Sequence, residues 1–352
     1  MIQTKEILLD PKQIDPALAD EAGAVLRRGG LVAFPTETVY GLGANALDER
    51  AVRSIFTAKG RPSDNPLIVH VAGIDDVAPL VTEIPPRARA VMERFWPGPI
   101  SIILKKSDKI GDVVSAGLDT VAVRMPSHPV ALAVIQAAGV PVAAPSANTS
   151  GKPSPTAARH VRDDMYGKID MIIDGGRCGV GVESTVLDLS GDTPAILRPG
   201  GITAQMLVPV IGPVISSAAQ VADKDTPKCP GMKYKHYAPE AQVVVLEYTG
   251  ILDHARLTAM ADSAHASGKR VGVLSCENTG NIYGVELFYY GGGDSRAYAA
   301  NLFYALRTFD EAGIDIVYCP MRLGDEMAVA VKNRLYKAAA GNVVPFDKGN
   351  GA

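Results

Sequence analysis

Cations and hydrogen-bonding turns recur in the N-terminal half of this sequence. In Lys59-Gly60-Arg61-Pro62, two cations flank a glycine and could clamp phosphate groups, with arginine supplying a bidentate fork. A solvated helix end is the simpler interpretation, and the tetrapeptide alone favours it, because the helix dipole already stabilises a cation there. The turn 145–151, PSANTSG, offers hydroxyls, an amide and backbone N–H groups. These groups could hold an anion or bond to one another.

Two arginines lie in otherwise apolar strands, Arg124 in VAVRMP and Arg198 in ILRPGG. A buried guanidinium needs an anionic partner. For Arg124, a structural partner such as Asp119 and a ligand carboxylate or phosphate both satisfy that need.

A hydroxyl-rich segment, FPTETVYGLG, follows a predicted buried strand at 31–34. If this segment is extended, Thr36, Thr38 and Tyr40 lie on one side, and such strand ends line ligand crevices in α/β sheets. A polar turn is the alternative, and the segment alone favours it. His70 ends an apolar run and by itself predicts only a buried core histidine. Together, two hydroxyl-rich turns and four cations predict a site for an anionic nucleotide and a small polar substrate.

Composition narrows the class of protein. The 352 residues are 47% apolar and 21% charged, as in a globular protein of about two domains. A net charge of −3 gives no overall electrostatic footprint for nucleic acid. No apolar run approaches the ~20 residues of a membrane helix, and the start has no secretory pattern. The four cysteines show no zinc-ligand spacing and fit a reducing cytoplasm.

Common catalytic motifs are missing from the sequence, namely the GxxxxGK[ST] phosphate loop, the GxSxG nucleophile elbow and the HExxH zinc motif. Residues 41–46, GLGANA, fit the looser GxGxxA pattern. No acidic residue about 20 positions on completes a dinucleotide site, so the pattern is weak evidence.

Helix and strand signals alternate along the chain and predict an α/β fold. In the N-terminal half, helices are predicted from Pro16, from Asp48 to Gly60, over 86–95 and over 129–138 with Ser127 as cap, and strands over 31–34, 66–71, 100–104, 140–144, 169–173, 184–189 and 195–198. After residue 240, strands over 242–247, 270–275, 285–290 and 315–319 alternate with helices over 251–266, 295–309 and 327–339. The second pattern predicts a small parallel sheet flanked by helices.

The motifs resemble those of the threonylcarbamoyl-AMP synthases. PTETVYGLG, KGRPSDNPLIVHV, WPGPIS, VAVRMPSHP, PVAAPSANTSGKPSPT, ESTVLDLS and ILRPGG occur in the family's order, and PGMKYKHYAP resembles the linker of its long form. The resemblance implies a twisted mixed-sheet catalytic domain with a deep cavity over 1–211, a linker over 212–240 that folds across the active site, and a Rossmann-like domain over 241–352. One departure is Cys229, where relatives usually have serine.

The implied activity joins L-threonine, bicarbonate and ATP into threonylcarbamoyl-AMP and pyrophosphate. Mg²⁺ would be bound through the ATP phosphates, with no metal ligands from the protein. A separate transferase would then pass the threonylcarbamoyl group to tRNA beside the anticodon, so no stable tRNA binding and no membrane contact are expected, and the chain would be cytoplasmic.

The resemblance also implies roles for particular residues. The catalytic set is Lys59, Arg61, Ser146 and Asn148; the ATP set is Arg61, Asn65, Thr120, Ser146, Ser154, Arg198 and Tyr237; the threonine set is Thr38, His70, Arg124, Ala144 and Ser184. Arg124 would hold the carboxylate of threonine.

Two other classes of function compete with this one. A nicotinamide-dependent oxidoreductase would use the C-terminal half, but the glycine fingerprint is missing there. A non-catalytic RNA-binding module would fit distant relatives of the fold, but the near-neutral charge and the complete KxR…SxN set argue against it.

Overall fold

The computed structural model describes residues 2–216, 227–229, 237–277, 282, 284–322, 324 and 326–347. The chain divides into two compact units. The first comprises Met1–Ser150 with Ser154–Tyr234, and the second comprises Gly151–Pro153 with Lys235–Ala352. The domain limits at 1–211, 212–240 and 241–352 stay a prediction, and residues 217–226 and 230–236 of the expected linker lie outside the described residues.

The first unit contains both helices and strands. Its strands are β1 (Lys5–Leu8), β2 (Val32–Phe34), β3 (Gly41–Asn45), β4 (Ile68–His70), β5 (Ile100–Lys105), β6 (Thr120–Arg124), β7 (Val142–Ala143), β8 (Met171–Asp174), β9 (Thr185–Asp188), β10 (Ala195–Arg198) and β11 (Ile215–Ser216). Its helices are α1 (Pro16–Arg27), α2 (Glu49–Lys59), α3 (Pro86–Phe95), α4 (Asp112–Ser115), α5 (Pro129–Ala138), α6 (Ala158–Met165) and α7 (Ala204–Ile211), with a 3₁₀ helix at Asp75–Leu80.

Local signals account for where the first helices begin and end. Asp15 accepts a hydrogen bond from the N–H of Ala17 at 2.9 Å and caps α1. Asp48 caps α2 in the same way. Gly60 ends α2 in the left-handed conformation, with φ 60°, which glycine adopts without strain. That turn sends the chain from α2 into the loop before β4.

The described strands of the first unit form one mixed sheet of eleven, in the order β1-β8-β2-β3-β7-β4-β6-β5-β9-β10-β11. β4 and β6 pair in parallel, whereas β5 and β6 pair antiparallel. α1 packs closely on α5, since a Cβ on Gly23 would lie 2.5 Å from the carbonyl carbon of Ala137. The largest apolar cluster packs α2, α3 and α7 against the sheet.

The second unit is a parallel sheet with helices. Its strands are β12 (Gln242–Tyr248), β13 (Val271–Ser275), β14 (Leu287–Tyr290), β15 (Ile316–Arg322) and β16 (Val343–Pro345), and its helices are α8 (His254–Ala266), α9 (Ser295–Glu311) and α10 (Glu326–Ala338). The strand order is β14-β13-β15-β12-β16, and every described pairing is parallel. These findings confirm the predicted fold class of a mixed sheet followed by a small parallel α/β sheet. No helix in the described ranges is long and apolar enough to cross a membrane.

One local prediction was wrong, and two open alternatives are decided by the structure. Residues 41–45 form strand β3, which agrees with the weak evidence of the GxGxxA pattern for a dinucleotide site. α5 is capped by His128, whose Nδ1 accepts from the N–H of Val130 at 3.3 Å, and not by Ser127. Thr36–Val39 forms a turn, in which the N–H of Thr36 donates to the carbonyl of Val39, and this is the alternative that the segment alone favoured. Pairing with β2 and β7 decided the first case, and local hydrogen bonds decided the other two.

Candidate functional site

One face of the first sheet carries residues from both predicted substrate sets. Pairing of β4 with β6 places His70 opposite Arg124 and Ile68 opposite Ala122. Alternation along β6 puts Thr120, Ala122 and Arg124 on the same face. Thr120 and Arg124 lie four residues apart, which is about 13 Å along a strand. The face is therefore long enough for two adjacent subsites.

An apolar patch lies on this face. Its members are Ile68, Ile103, Ala122, Val186, Ala195, Leu197 and Cys229. Cys229 is fully buried in the patch, and the preceding Lys228 donates to the Oδ2 of Asp188 at 3.2 Å. Segment 227–229 is thus fixed against the sheet of the first unit.

Arg124 and Glu37 form an ion pair at one end of this face. The Nη2 of Arg124 lies 2.8 Å from the Oε1 of Glu37, with both side chains largely buried, but no hydrogen bond forms between these atoms. The Nε of Arg124 donates to the carbonyl of Gly98 at 3.4 Å. The structural partner of Arg124 is therefore Glu37, and Asp119 was the wrong expectation. A cation and a carboxylate side by side, each with capacity to bond, suit a zwitterionic ligand.

Replacing His70 by glutamine should make the free energy of unfolding fall less steeply as the pH is lowered below about 6.5. Burial, and then the charge of Arg124, lowers the pKa of His70 from 6.5 to about 3, so the folded imidazole is neutral at neutral pH. The unfolded chain takes up this proton below pH 6.5 while the folded chain does not, so stability falls as the pH falls through that window. Urea unfolding at a series of pH values would measure the difference. Identical pH dependence in the parent and the variant would contradict the assignment.

Thr38 and Ala144 lie near this end of the sheet through backbone contacts. The hydroxyls of Thr36 and Thr38 lie 2.8 Å apart, and both residues are buried. The N–H of Ala144 donates to the carbonyl of Ile68 at 2.9 Å, which places it beside β4. The carbonyl of Thr38 accepts from the N–H of Gly181, which fixes the chain before β9.

Ser184 links the two predicted substrate sets. Its hydroxyl lies 2.9 Å from that of Ser101 on β5. The Nη2 of Arg198 donates to the same hydroxyl at 3.1 Å, and its Nε donates to the carbonyl of Ser184 at 3.1 Å. Both Arg198 and Ser184 are buried. A predicted ATP residue and a predicted threonine residue are therefore in direct contact.

Lys59 is buried, with 2% of its surface exposed, so the solvated helix end that its tetrapeptide favoured is wrong. Its Nζ donates to the backbone carbonyls of Ser146 and Asn148, the latter at 2.6 Å. The hydroxyl of Ser146 donates to the Oδ1 of Asn148 at 2.5 Å. Three members of the predicted catalytic set therefore lie together, and Lys59 holds the backbone of the turn that carries the other two.

The loop after α2 brings Arg61 to Asn65. The Nη2 of Arg61 donates to the carbonyl of Asn65 at 3.3 Å and to that of Pro66 at 3.4 Å. Asn65 is 1% exposed, and its Oδ1 has no hydrogen-bond partner. An unpaired buried amide oxygen is costly, so this atom is a candidate for bonding a ligand.

Ser154 and Tyr237 complete the predicted ATP set. The hydroxyl of Ser154 donates to the Oε1 of Glu183 at 2.5 Å, and both residues are buried. Tyr237 belongs to the second unit, where its ring lies 5.1 Å from that of Phe303. Its predicted contact with the nucleotide stays a prediction.

Sequence reasoning missed the two carboxylates, Glu37 and Glu183. Each lies inside a quoted motif, Glu37 in PTETVYGLG and Glu183 in ESTVLDLS. The signal that could have found Glu37 is charge balance, because a buried arginine needs an anion and Glu37 lies between two buried threonines. Cys178 lies near Glu37, and burial raises the pKa of its thiol, which disfavours a thiolate nucleophile at neutral pH.

Two family models match this chain, which has an α/β fold with the candidate site in its first unit. A model described as "Telomere recombination" matches residues 24–200, and one described as "Threonylcarbamoyl-AMP synthase, C-terminal domain" matches residues 202–340. Among solved structures, Pyrococcus abyssi Sua5 complexed with L-threonine is similar with a TM-score of 0.92 and 45% identity, covering 97% of this chain and 99% of that one.

Curated relatives identify the family more specifically. The threonylcarbamoyl-AMP synthase of Pyrococcus abyssi is 48% identical over 324 residues, covering 92% of this chain and 94% of the relative. That of Bacillus subtilis is 47% identical over 333 residues, covering 94% and 95%. This chain belongs to the threonylcarbamoyl-AMP synthase family and is an enzyme.

Proposed function

We propose that this chain makes L-threonylcarbamoyl-AMP and pyrophosphate from L-threonine, bicarbonate and ATP. The observation that carries the proposal is the Arg124–Glu37 pair, which lies on the same sheet face as Thr120 and in contact range of the buried, neutral His70. Arg124 binds the carboxylate of threonine and Glu37 faces its amino group. The P. abyssi relative solved with L-threonine supports an amino acid as one substrate.

Two bond-forming steps make up the reaction. The free amine of threonine attacks the carbon of carbon dioxide or bicarbonate, a proton leaves the nitrogen, and a carbamate forms; from bicarbonate, water is also released. A carbamate oxygen then attacks the α-phosphorus of ATP as the bond to pyrophosphate breaks. Neither step requires a nucleophile from the protein, so positioning and charge stabilisation suffice.

The proposed nucleotide set supplies donors to phosphate oxygens. Arg61 and Arg198 supply guanidinium groups and Thr120 supplies a hydroxyl, whereas Asn65 and Ser154 offer acceptor oxygens to the N–H and O–H groups of the nucleotide. Such donors suit anions and not metal cations. We therefore propose that Mg²⁺ arrives as part of the ATP substrate and neutralises charge on its phosphates.

Omission experiments test the function. Pyrophosphate release by the full chain should require threonine, bicarbonate, ATP and Mg²⁺ together, and mass spectrometry should detect threonylcarbamoyl-AMP. Release that continues without threonine would reveal ATP hydrolysis only. Release without bicarbonate, after carbon dioxide has been purged, would contradict carbamate formation.

Replacing Asn65 by leucine should weaken ATP binding without destabilising the fold. The Oδ1 of Asn65 is buried and unpaired, so its removal takes away a desolvation penalty of about 1–3 kcal/mol. Calorimetric titration with ATP and urea unfolding would measure the two effects. Asn45 is the control, because its Oδ1 accepts from the N–H of Leu47 at 3.0 Å. Asn45→Ala should lose about 0.5–1.5 kcal/mol and keep its ATP affinity. Unchanged ATP affinity in Asn65→Leu would remove Asn65 from the nucleotide site.

The fate of the product completes the proposal. Threonylcarbamoyl-AMP is a mixed anhydride, so a transferase that modifies tRNA beside the anticodon must consume it. The net charge of −3 supports handover to that enzyme over direct, stable binding of tRNA. The linker over 212–240 and Tyr237 are proposed to shield the product from water, and the compartment is proposed to be the cytoplasm.

A further inference from the structure

The second unit has a cavity at the carboxyl edge of its parallel sheet. Its volume is about 230 Å³. It is lined by Cys276 and Glu277 just after β13, by Met321 and Arg322 at the end of β15, and by Asp294 and Tyr298 at the start of α9. None of these residues belongs to the sets proposed for synthesis.

The topology explains why a cavity forms there. β13 leads to β14 on one side of the sheet, whereas its neighbour β15 leads to β16 on the other side. Connections that leave adjacent parallel strands in opposite directions open a crevice at the carboxyl ends. Ligands of open α/β sheets bind in such crevices.

Opposite charges line this cavity. The guanidinium of Arg322 is exposed and makes no hydrogen bond or ion pair within the described ranges. Glu277 accepts a hydrogen bond from the hydroxyl of Tyr248 at 2.8 Å, which fixes its carboxylate near the end of β12, the strand on the far side of β15. Asp294 supplies the second carboxylate. Among the described residues, the lining therefore offers one cation and two anions.

The start of α9 adds donors to the same wall. Asp294 caps the helix by accepting from the N–H of Ala297 at 2.7 Å. The N–H groups of Ser295 and Arg296, the first of the helix, have no partner within it. Gly291–Gly293 precede them, and a Cβ on Gly292 would lie 2.2 Å from the Cβ of Ala297, so the loop approaches the helix as only glycine can.

The cavity is suited to binding and not to covalent chemistry. Burial raises the pKa of the Cys276 thiol, so the thiolate is scarce at neutral pH. The hydroxyl of Tyr298 donates to the carbonyl of Leu274 at 3.3 Å and is committed to the fold. No activated nucleophile is thus presented by these two side chains.

We propose that this cavity binds a small zwitterion, an α-amino acid, with its carboxylate on Arg322 and the start of α9 and its ammonium group toward Glu277 and Asp294. A guanidinium fork matches a carboxylate, and carboxylates match an ammonium group. A phosphate ester carries about two negative charges and would meet two carboxylates against one guanidinium, so the charge balance disfavours it. The volume suits a molecule smaller than a nucleotide. The proposal is independent of the activity of the first unit.

Methyl NMR on the full chain with ¹³C-labelled methionine tests the proposal. Met321 lines the cavity, and Met125, next to Arg124, reports on the first unit. Each proteinogenic L-amino acid, AMP and inorganic phosphate are added in turn, and Met321→Leu assigns the signal. At least one amino acid should shift the Met321 methyl signal saturably.

Variants separate a specific site from a general effect. Take the amino acid that shifts the Met321 signal in the parent. Arg322→Gln and Glu277→Gln should each raise its dissociation constant roughly tenfold or more. Lys269→Gln is the control, because Lys269 is exposed in the same unit and does not line the cavity, and this variant should bind the amino acid as the parent does. If no amino acid shifts Met321, if only AMP or phosphate does, or if Arg322→Gln binds unchanged, the proposal is overturned. The response of Met125 to threonine should be the same in all three variants.

Discussion

Replacing Lys59 by alanine should lower the free energy of unfolding by about 2–5 kcal/mol and reduce synthesis at least tenfold. The ammonium group of Lys59 is buried and donates to two backbone carbonyls, which the alanine variant leaves unpaired in the interior. The turn carrying Ser146 and Asn148 would lose its anchor, so the proposed catalytic residues would move. Urea unfolding and pyrophosphate release measure the two effects.

Arg53 provides a matched control on the same helix. Its guanidinium lies 3.5 Å from Glu49 in an exposed pair, so Arg53→Ala should change stability by less than about 0.5 kcal/mol. If Lys59→Ala is as stable as Arg53→Ala but inactive, Lys59 acts on substrate alone. If it is equally stable and active, the burial of Lys59 has no consequence for either property.

Replacing Arg124 by leucine should raise the KM for threonine roughly ten- to a hundredfold while ATP affinity stays near that of the parent. The threonine carboxylate would lose its guanidinium partner, whereas the proposed nucleotide residues would keep theirs. Initial rates at varied threonine, together with calorimetric titration of ATP, measure this difference. A loss of ATP affinity with unchanged threonine dependence would mean that the two subsites are reversed.

A second variant separates folding from binding. Arg124→Leu leaves Glu37 largely buried without its cation, which should cost about 3–5 kcal/mol. Adding Glu37→Gln removes that charge, so the double variant should recover much of the stability but not the use of threonine. If the double variant regains threonine use, Arg124 only supports the fold.

Helices and strands with strong local signals could be predicted from the sequence. The helices predicted from Pro16 and from Asp48 are present and capped by Asp15 and Asp48, because a cap depends on residues two or three positions away. β3 could not be predicted, since glycine-rich 41–45 is a poor strand former that is held between β2 and β7 by pairing. Pairing with strands distant in the sequence therefore determines that β3 forms.

The same distinction between local signals and long-range partners explains which features of the candidate site could be predicted. The sequence predicted that Lys59 and Asn148 belong together only through the resemblance, because they lie 89 positions apart. It could not predict that Lys59 bonds to backbone, since any residue type presents the same carbonyl. Glu37 was missed for a related reason, as its partner lies on β6, far along the chain.

The hydroxyl of Ser184 has a thermodynamic consequence. It is bonded to Arg198 from the proposed nucleotide set and lies beside Ser101, yet it is itself proposed to contact threonine. A ligand that reorients this hydroxyl changes what Arg198 can donate to the other ligand. The affinities for ATP and threonine should then be linked, and linkage is reciprocal. If threonine changes the dissociation constant of ATP by some factor, ATP must change the dissociation constant of threonine by the same factor. Ser184→Ala should bring this factor toward one.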